Sequence, residues 1–154
     1  METNQFAEFV SAVVRQLPRN LQSTTAQNWI KNQGALADVL RKALGSTFKL
    51  YLAPGQQNGR TMKGFDLEKY LEEAKLINRC FSLEDELVKG WLANPSSYPE
   101  EFKGKAIFLW KSKQTSGDDT HVAYLYWDDD RVIVDWSWLG DGWYGGDPAL
   151  LASS

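Results

Sequence analysis

The chain has 154 residues, of which 43% are hydrophobic and 24% charged, a balance that suits one ordinary folded core and argues against extensive disorder. It contains one cysteine, Cys80, and one histidine, His121, which excludes an internal disulfide and metal sites built from several such residues. No apolar run approaches the roughly 18 residues needed to span a bilayer. The start METNQFAEFVSAVV also lacks the basic head of a secretory signal, so we expect a cytoplasmic protein without membrane contact or cofactor.

The charge is unevenly distributed along the chain, although the formal net charge is only −3. Residues 1–47 and residues 48–113 each carry a net charge of +2. Residues 114–154 hold eight acidic residues and a single base, Arg131, which gives −7. Such a region repels the phosphates of nucleic acid, so we do not expect nucleic acid as its partner.

The first 45 residues predict a cluster of short helices. Apolar residues recur at helical spacing over 3–17 and again over 35–44, and Thr24 has capping-box spacing with Gln27. Helices this short are not stable without packing against something else. We therefore expect residues 1–45 to be a helical subdomain or arm, followed by an α+β domain over residues 46–154.

The middle of the chain predicts one strand and two helices. Residues 46–53 alternate with period two, as in a half-buried strand, and we expect the turn-rich segment PGQQNGR (54–60) to be exposed. The carboxylate of Asp66 can cap the first helix, and Ser82 has capping-box spacing with Asp85 at the start of the second. The pattern leaves open whether strand 46–53 joins the edge of the following sheet.

The last third of the chain predicts a three-stranded antiparallel β-meander followed by an ordered tail. Residues 105–111 are apolar at both alternating sets of positions, as in a central strand covered on two sides. The runs HVAYLYW (121–127) and RVIVDWSWL (131–139) predict a hairpin that turns over Asp129 and Asp130. The complete prediction is an α+β fold with an N-terminal cluster of short helices, one strand, two helices and this meander.

Residue parity predicts the register of the hairpin. Pairing to a constant sum of 259 puts Trp127 opposite Val132 and Ala123 opposite Trp136, and we expect their apolar face, extended to Trp138, to be the core side. A three-residue loop would instead shift the pairing by one and mix the two faces. With the first register, the opposite face is mixed in character and carries Val122, Tyr124, Tyr126, Ile133, Asp135 and Ser137.

Several stretches together resemble a family of small uncharacterised proteins from bacterial and phage-like genomes. These stretches are TTAQNWIKNQGALADVLRKALG, FKLYLAPG, DDTHVAYLYWDDDRVIVDWSWLGDGW and DPALLAS. The resemblance covers the two ends of the chain better than residues 54–100. It implies an N-terminal helical segment and a tyrosine- and tryptophan-rich final hairpin, and it implies no particular activity.

The leading candidate site is an acidic aromatic surface on the hairpin and the loop that follows it. Flat rings beside carboxylates suit contact with a basic protein partner, and they also suit stacking on a sugar whose hydroxyl groups bond to the acids. The alternative is that the rings are core residues on both sheet faces. We expect a small non-enzymatic binding or accessory protein that acts on a protein partner, with a carbohydrate-binding or carbohydrate-acting module as the alternative. The residues of this surface are Tyr124, Tyr126, Asp135, Asp141, Trp143 and Tyr144.

Two other chemistries have weaker support in the sequence. Asp141 and Asp147 lie in the glycine-rich loop GDGWYGGDP and could hold Ca²⁺, but their spacing does not match an EF-hand and a plain turn is favoured. His121 with an acidic neighbour such as Asp135, or with Ser137, could support acid–base or nucleophilic catalysis. No nucleophile motif flanks Ser137, so we expect no catalytic residue.

A third function, DNA binding, is suggested by the segment AQNWIKNQGALADVLRKAL. It has the outline of a helix-turn-helix, with Lys31, Arg41 and Lys42 as candidate phosphate contacts. Three cations are few for this role, and the acidic C-terminal region opposes it. We expect this segment to pack as a helical hairpin instead.

Overall fold

The computed structural model describes residues 47–153 and four helical residues, which are Thr24, Gln27, Asn28 and Lys31. The chain divides into two compact units, Met1–Asn32 and Gln33–Ser154. The helices that the sequence predicts over 3–17 and 35–44 lie outside the described residues, as does most of the helix-turn-helix segment. Residues 47–153 belong to the second unit.

Residues 47–153 have the predicted α+β fold. Neither of its two α-helices exceeds ten residues, and no helix in the described part of the chain is long and apolar enough to cross a membrane. Short 3-10 turns connect several of the elements. In chain order the elements are β1 (Phe48–Tyr51), β2 (Met62–Lys63), α1 (Gly64–Glu73), α2 (Glu86–Ala93), β3 (Ile107–Ser116), β4 (Asp119–Asp128), β5 (Arg131–Trp138), β6 (Gly142–Trp143) and β7 (Ala149–Ala152).

The main sheet has five strands in the order β1-β7-β3-β4-β5. Strands β3, β4 and β5 form the predicted antiparallel meander. The tail contains a strand, β7, which the sequence did not predict; it lies parallel to β3 and antiparallel to β1. Strand β1 therefore reaches the sheet through β7 and does not touch the meander's edge directly. Strands β2 and β6 form a separate two-stranded ribbon.

The predicted hairpin register is confirmed. Trp127 pairs with Val132, and the pairing continues without a shift to His121 and Trp138. The two turn residues Asp129 and Asp130 have φ angles of 44° and 60°. Two successive left-handed residues are typical of the type I′ turn, whose twist matches that of the flanking strands, and aspartate tolerates this conformation.

The sheet is covered on both faces, and strand β3 supplies core residues to each. On the face covered by α2, called the α2 face, Trp91 makes edge-to-face contacts with Phe48, Tyr98 and Phe102 at centroid distances of 5.4 to 5.6 Å. On the other face, called the α1 face, Leu67 and Leu71 of α1 belong to a second buried cluster. The four central residues of β3 alternate between these clusters, as predicted: Ile107, Phe108, Leu109 and Trp110.

Trp138 is the exception to the predicted core face, because its side chain is 41% exposed. It lies at the end of β5, which is the edge strand, and its ring lies over Gly140, where a Cβ atom would come within 2.3 Å of it. The alternation of apolar residues along β5 continues to Trp138, but among the described residues no further strand lies beside β5 to shield this side chain. Parity therefore assigns the face correctly and overstates the burial.

Both central helices begin at positions other than those predicted. Helix α1 begins at Gly64, ahead of Asp66, because the N–H groups of Gly64 and Phe65 already donate to backbone carbonyl oxygens of residues 139–141. Helix α2 begins at Glu86, and the carboxylate of Asp85 accepts hydrogen bonds from the N–H and the hydroxyl of Ser82 at 2.7 and 2.8 Å. That carboxylate therefore closes the turn before the helix.

Replacing Gly64 with alanine should lower the free energy of unfolding by about 1–3 kcal/mol, because overpacking a close contact forces the backbone to shift. A Cβ atom there would lie 2.6 Å from the carbonyl oxygen of Leu139 and 2.8 Å from its Cα. Urea denaturation of the variant measures the effect. In the matched control Gly90→Ala, in α2, the added Cβ meets nothing within 4 Å, so this variant should gain about 0.5–1 kcal/mol. Equal effects in the two variants would contradict the close approach.

Candidate functional site

The candidate site is built on the segment of residues 139–148, called the 139–148 loop, which follows the edge strand. Its β6 residue Trp143 pairs with Met62 of β2. The N–H groups at the start of α1 hold it as well: Gly64 donates to the carbonyl oxygen of Asp141, and Phe65 to that of Leu139, both at 3.1 Å. The loop is thus fixed at several points to the α1 side of the domain.

The side chain of Gln56 fastens the far end of this loop. It is 1% exposed and is the one buried polar side chain among the described residues. Its Nε2 donates to the carbonyl oxygens of Tyr144 and Asp147 at 3.3 and 2.9 Å, and its Oε1 accepts from the N–H of Ala53 at 3.1 Å. The prediction that residues 54–60 are exposed is therefore wrong at Gln56. Nothing in a turn-rich sequence signals such burial, because the partners are about 90 residues away.

Trp143, predicted to be an exposed ring of the binding surface, is buried, with 1% of its side chain exposed. Its ring stacks on Phe108 at a centroid distance of 4.0 Å and lies 4.7 Å from Trp110. Because the loop folds back over the sheet, the ring leaves water and completes the α1-face core. The indole Nε1 of Trp143 has no hydrogen-bond partner among the described residues.

A cleft of about 370 Å³ lies beside Trp143 and is called the acidic aromatic cleft. Its volume is at the lower end of the range of roughly 300–1,000 Å³ that small-ligand sites occupy. Three aromatic residues line it, of which Phe108 and Trp143 are buried and Tyr124 is half-buried, together with two aspartates and the hydroxyl-bearing residue Ser137. The lining residues are Ala106, Phe108, Tyr124, Ser137, Asp141, Gly142, Trp143 and Asp147.

Two groups of the cleft have perturbed pKa values. Burial, reinforced by the charge of Asp135, raises the pKa of Tyr124 to about 12, and the Tyr124 hydroxyl donates to Asp135 Oδ2 at 3.1 Å. Burial also raises the pKa of Asp147, although the N–H of Tyr144, which donates to its Oδ2 at 2.9 Å, opposes that shift. Among the described residues, no ion pair includes Asp135, Asp141 or Asp147.

The structure brings together most of the surface predicted from the sequence. Tyr124, Asp141 and Trp143 line the cleft, and Asp135 adjoins it through its bond to Tyr124. Tyr126 is half-buried and lies 5.9 Å from the Tyr124 ring. Tyr144 is 58% exposed on the loop and does not line the cleft. Nothing in the sequence indicates that Phe108 lines a cleft, because its pattern does not distinguish it from any other core residue of a central strand.

The other sequence-based candidates are not assembled into sites. Because side chains alternate along a strand, His121 lies on the α2 face, whereas Asp135 and Ser137 lie on the α1 face, so neither can pair with it. Across the part of the chain that the structure describes, no three His, Cys, Asp or Glu side chains cluster as metal ligands. Cys80 is buried, and burial raises the pKa of its thiol to about 12, as expected of a packing residue.

No protein-family model matches this chain, and no match was found among curated proteins or among solved structures. The resemblance to small bacterial and phage-like proteins therefore stays a prediction. The function has to be inferred from the residues of the cleft themselves.

Gln56→Ala should lower the free energy of unfolding by about 1–3 kcal/mol, because it leaves buried hydrogen-bonding groups of Ala53 and Asp147 without partners. The amides of the 139–148 loop should also exchange faster with deuterium, which mass spectrometry measures. The control is Gln57→Ala, whose exposed amide bonds only to the carbonyl oxygen of Leu52. That change should stay within about 0.5 kcal/mol. Unchanged loop exchange in the Gln56 variant would contradict the clamp.

Asp147→Asn should remove a pH-dependent loss of stability. Because the folded state raises the pKa of Asp147 above its ordinary value of 3.8, the folded protein binds this proton more tightly than the unfolded chain does. Its stabilising contribution is complete below 3.8 and is lost as the pH rises through the raised pKa of the folded state. Asparagine keeps an acceptor for the N–H of Tyr144 and does not ionise.

Urea denaturation between about pH 3 and pH 7 measures this effect. As the pH rises, the variant should become more stable relative to the unchanged protein. The difference between their free energies of unfolding, variant minus unchanged, should therefore grow across this window and then level off. The exposed turn residue Asp118 provides the control Asp118→Asn. A flat difference for the Asp147 variant would show that its carboxylate does not resist ionisation in the fold.

Proposed function

We propose that this is a non-enzymatic binding protein that recognises a basic segment of a partner protein, with an arginine or lysine side chain of the partner in the acidic aromatic cleft. The observation that carries the proposal is the half-buried ring of Tyr124 beside Asp141 and Asp147 in one cleft, which the buried rings of Phe108 and Trp143 also line. No cation from the described residues neutralises these carboxylates.

The chemistry of the cleft suits a cation with a flat or apolar stem. A cation over an aromatic face gains about 0.5–2 kcal/mol, more where water is excluded, and charge-assisted bonds to carboxylates add to this. Arginine fits better than lysine because its planar guanidinium can stack on a ring such as that of Tyr124 while its fork of N–H groups bonds to carboxylate oxygens.

The charge of the surrounding region supports the same class of partner. Residues 114–154 carry −7, so a basic segment is attracted before contact and associates faster at low ionic strength. The same field repels nucleic acid, which is consistent with a protein partner. Tyr126 and the exposed Tyr144 flank the cleft region and offer further ring surface to such a segment.

A specific observation favours carbohydrate as the second candidate. The hydroxyl of Ser137 and the carboxylates of Asp141 and Asp147 can each bond to a sugar hydroxyl. A sugar hydroxyl can both donate and accept, whereas a guanidinium or ammonium group can only donate. A glycan could therefore also accept a hydrogen bond from the Ser137 hydroxyl, which a cationic side chain cannot do.

Titration with N-acetylarginine methylamide, followed by NMR through the indole N–H of Trp143, tests the proposal. The resonance should shift, and the affinity should fall with added salt. A double variant, Asp141→Asn with Asp147→Asn, should weaken binding at least about tenfold, because it removes the charge from both acceptors. The double variant Asp118→Asn with Asp119→Asn has the same net charge and lies in the exposed β3–β4 turn, so it should bind within about twofold of the unchanged protein.

The alternatives give different results in the same experiment. Equal losses in the two double variants would mean that net charge, not the cleft, attracts the ligand. A shift on adding glucose or cellobiose, with no response to the arginine derivative, would replace the proposal with the carbohydrate function. No response to any of these ligands would refute both.

A further inference from the structure

Among the described residues, no strand pairs with the outer side of β5, which is therefore an edge of the main sheet. It has eight residues, contains neither proline nor lysine, and pairs with β4 without a register shift. Protected sheet edges are usually short, bulged, or interrupted by proline or lysine, because a free edge invites another strand to pair. The opposite edge strand, β1, has only four residues. Edge β5 therefore lacks proline, lysine and a bulge, and its charged residues are Arg131 and Asp135.

The hydrogen-bonding groups of β5 that face outward can be identified from its register. The N–H of Leu139, just after the strand, donates to the carbonyl oxygen of Thr120 in β4. Since backbone groups alternate in direction along an antiparallel strand, the odd-numbered residues face β4. Val132, Val134 and Trp136 therefore direct their N–H and C=O groups away from the sheet. The N–H of Trp136 already donates to Asp135 Oδ1 at 2.8 Å, so among the described residues the N–H groups of Val132 and Val134 are the ones that could donate to an added strand.

The two faces of β5 define the side chains that an added strand should carry. On the α2 face it would lie beside Val134 and Trp136, which are partly buried against that core, so apolar residues fit there. On the α1 face it would lie beside Asp135 and Ser137. Ser137 lines the acidic aromatic cleft. Side chains on adjacent strands have Cβ atoms roughly 5 Å apart, so an arginine opposite Ser137 can reach into the cleft.

We propose that the edge of β5 binds an extended segment of the partner protein by strand addition, and that this segment alternates apolar and basic residues. Main-chain hydrogen bonds of Val132 and Val134, with the outward C=O of Trp136, hold the segment, and its basic residues face Asp135 and the cleft. This inference rests on the proposed function for the basic character of the partner. It adds the binding geometry and the sequence pattern of the ligand.

Charge favours such a segment over a second copy of this chain. Pairing two β5 edges would bring together two regions that each carry −7. The same charge attracts a basic strand, which can place a cation on the α1 face at every second residue. The turn before β5 consists of Asp129 and Asp130, and β4 ends at Asp128, which adds negative charge close to one end of the edge.

The test is binding of a capped seven-residue peptide of alternating valine and arginine, measured by tryptophan fluorescence and calorimetry. The variant Val134→Pro removes one outward N–H group and no bond to β4, and proline is tolerated on an edge strand in this orientation. It should weaken peptide binding at least about tenfold, whereas Val134→Thr, which keeps the N–H and the β-branched shape, should bind within about twofold. Near-ultraviolet circular dichroism checks that both variants are folded.

A second measurement keeps the inference testable if the proline variant does not fold. Two further peptides have the same sequence with methylated backbone nitrogens, one at the odd-numbered and the other at the even-numbered residues. Each keeps its charge, but its methylated edge cannot pair with another strand. At least one of these two peptides should bind the unchanged protein with an affinity lower by about tenfold or more. Equal affinity for all three peptides would overturn strand addition, as would unchanged binding of the parent peptide by folded Val134→Pro.

The outcomes separate this inference from the proposed function. If the arginine derivative still binds the cleft while the peptide binds independently of its backbone N–H groups, strand addition fails and the cleft function stands. If neither the derivative nor the peptide binds, both fail. A dimer in sedimentation velocity that Val134→Pro dissociates would show that β5 pairs with a second copy, which overturns the inference.

Discussion

Strand β3 carries large apolar side chains on both of its faces, and the rest of the fold depends on covering both. Full burial of such a side chain stabilises the folded state by about 1.5–3 kcal/mol, so neither face can be left in water without a large loss. Helix α2 and the rings that surround Trp91 cover one face. The other face is covered by two separate elements, α1 and the 139–148 loop, whose Trp143 stacks on Phe108.

The cleft is a consequence of this second, composite covering. Where the loop meets the sheet, Trp143 fills the space over Phe108, but the strands beyond it carry Tyr124, Asp135 and Ser137 on the same face. These residues are polar, and none of them is buried. Rings that belong to the core and carboxylates that belong to the surface are thereby neighbours in one concave site, which is the setting in which a bound cation or sugar gains most from both.

The loop is held more firmly than its glycine content suggests. The carbonyl oxygens of Leu139 and Asp141 bond to the start of α1, and those of Tyr144 and Asp147 bond to Gln56. A site on a loop that is fastened at both ends loses little conformational entropy when a ligand binds. This arrangement also keeps Asp147 in a half-buried position, where the N–H of Tyr144 offsets part of the cost of removing its carboxylate from water.

The sequence by itself determined the meander, the register of its hairpin and the two-sided burial of β3. These features follow from local alternation and from two aspartates that tolerate a left-handed turn, so the necessary information lies within about 30 residues. Only the tertiary structure decided that β7 inserts between β1 and β3, that Trp143 is buried and that Gln56 clamps the loop. Each of these depends on partners from 33 to 104 residues away, and a residue's own sequence neighbourhood does not encode which distant surface will cover it. The sequence therefore predicted part of the candidate site, including the cleft residues Tyr124, Asp141 and Trp143. Its remaining lining residues, its concavity and its exposed and buried members came from the packing of segments distant in sequence.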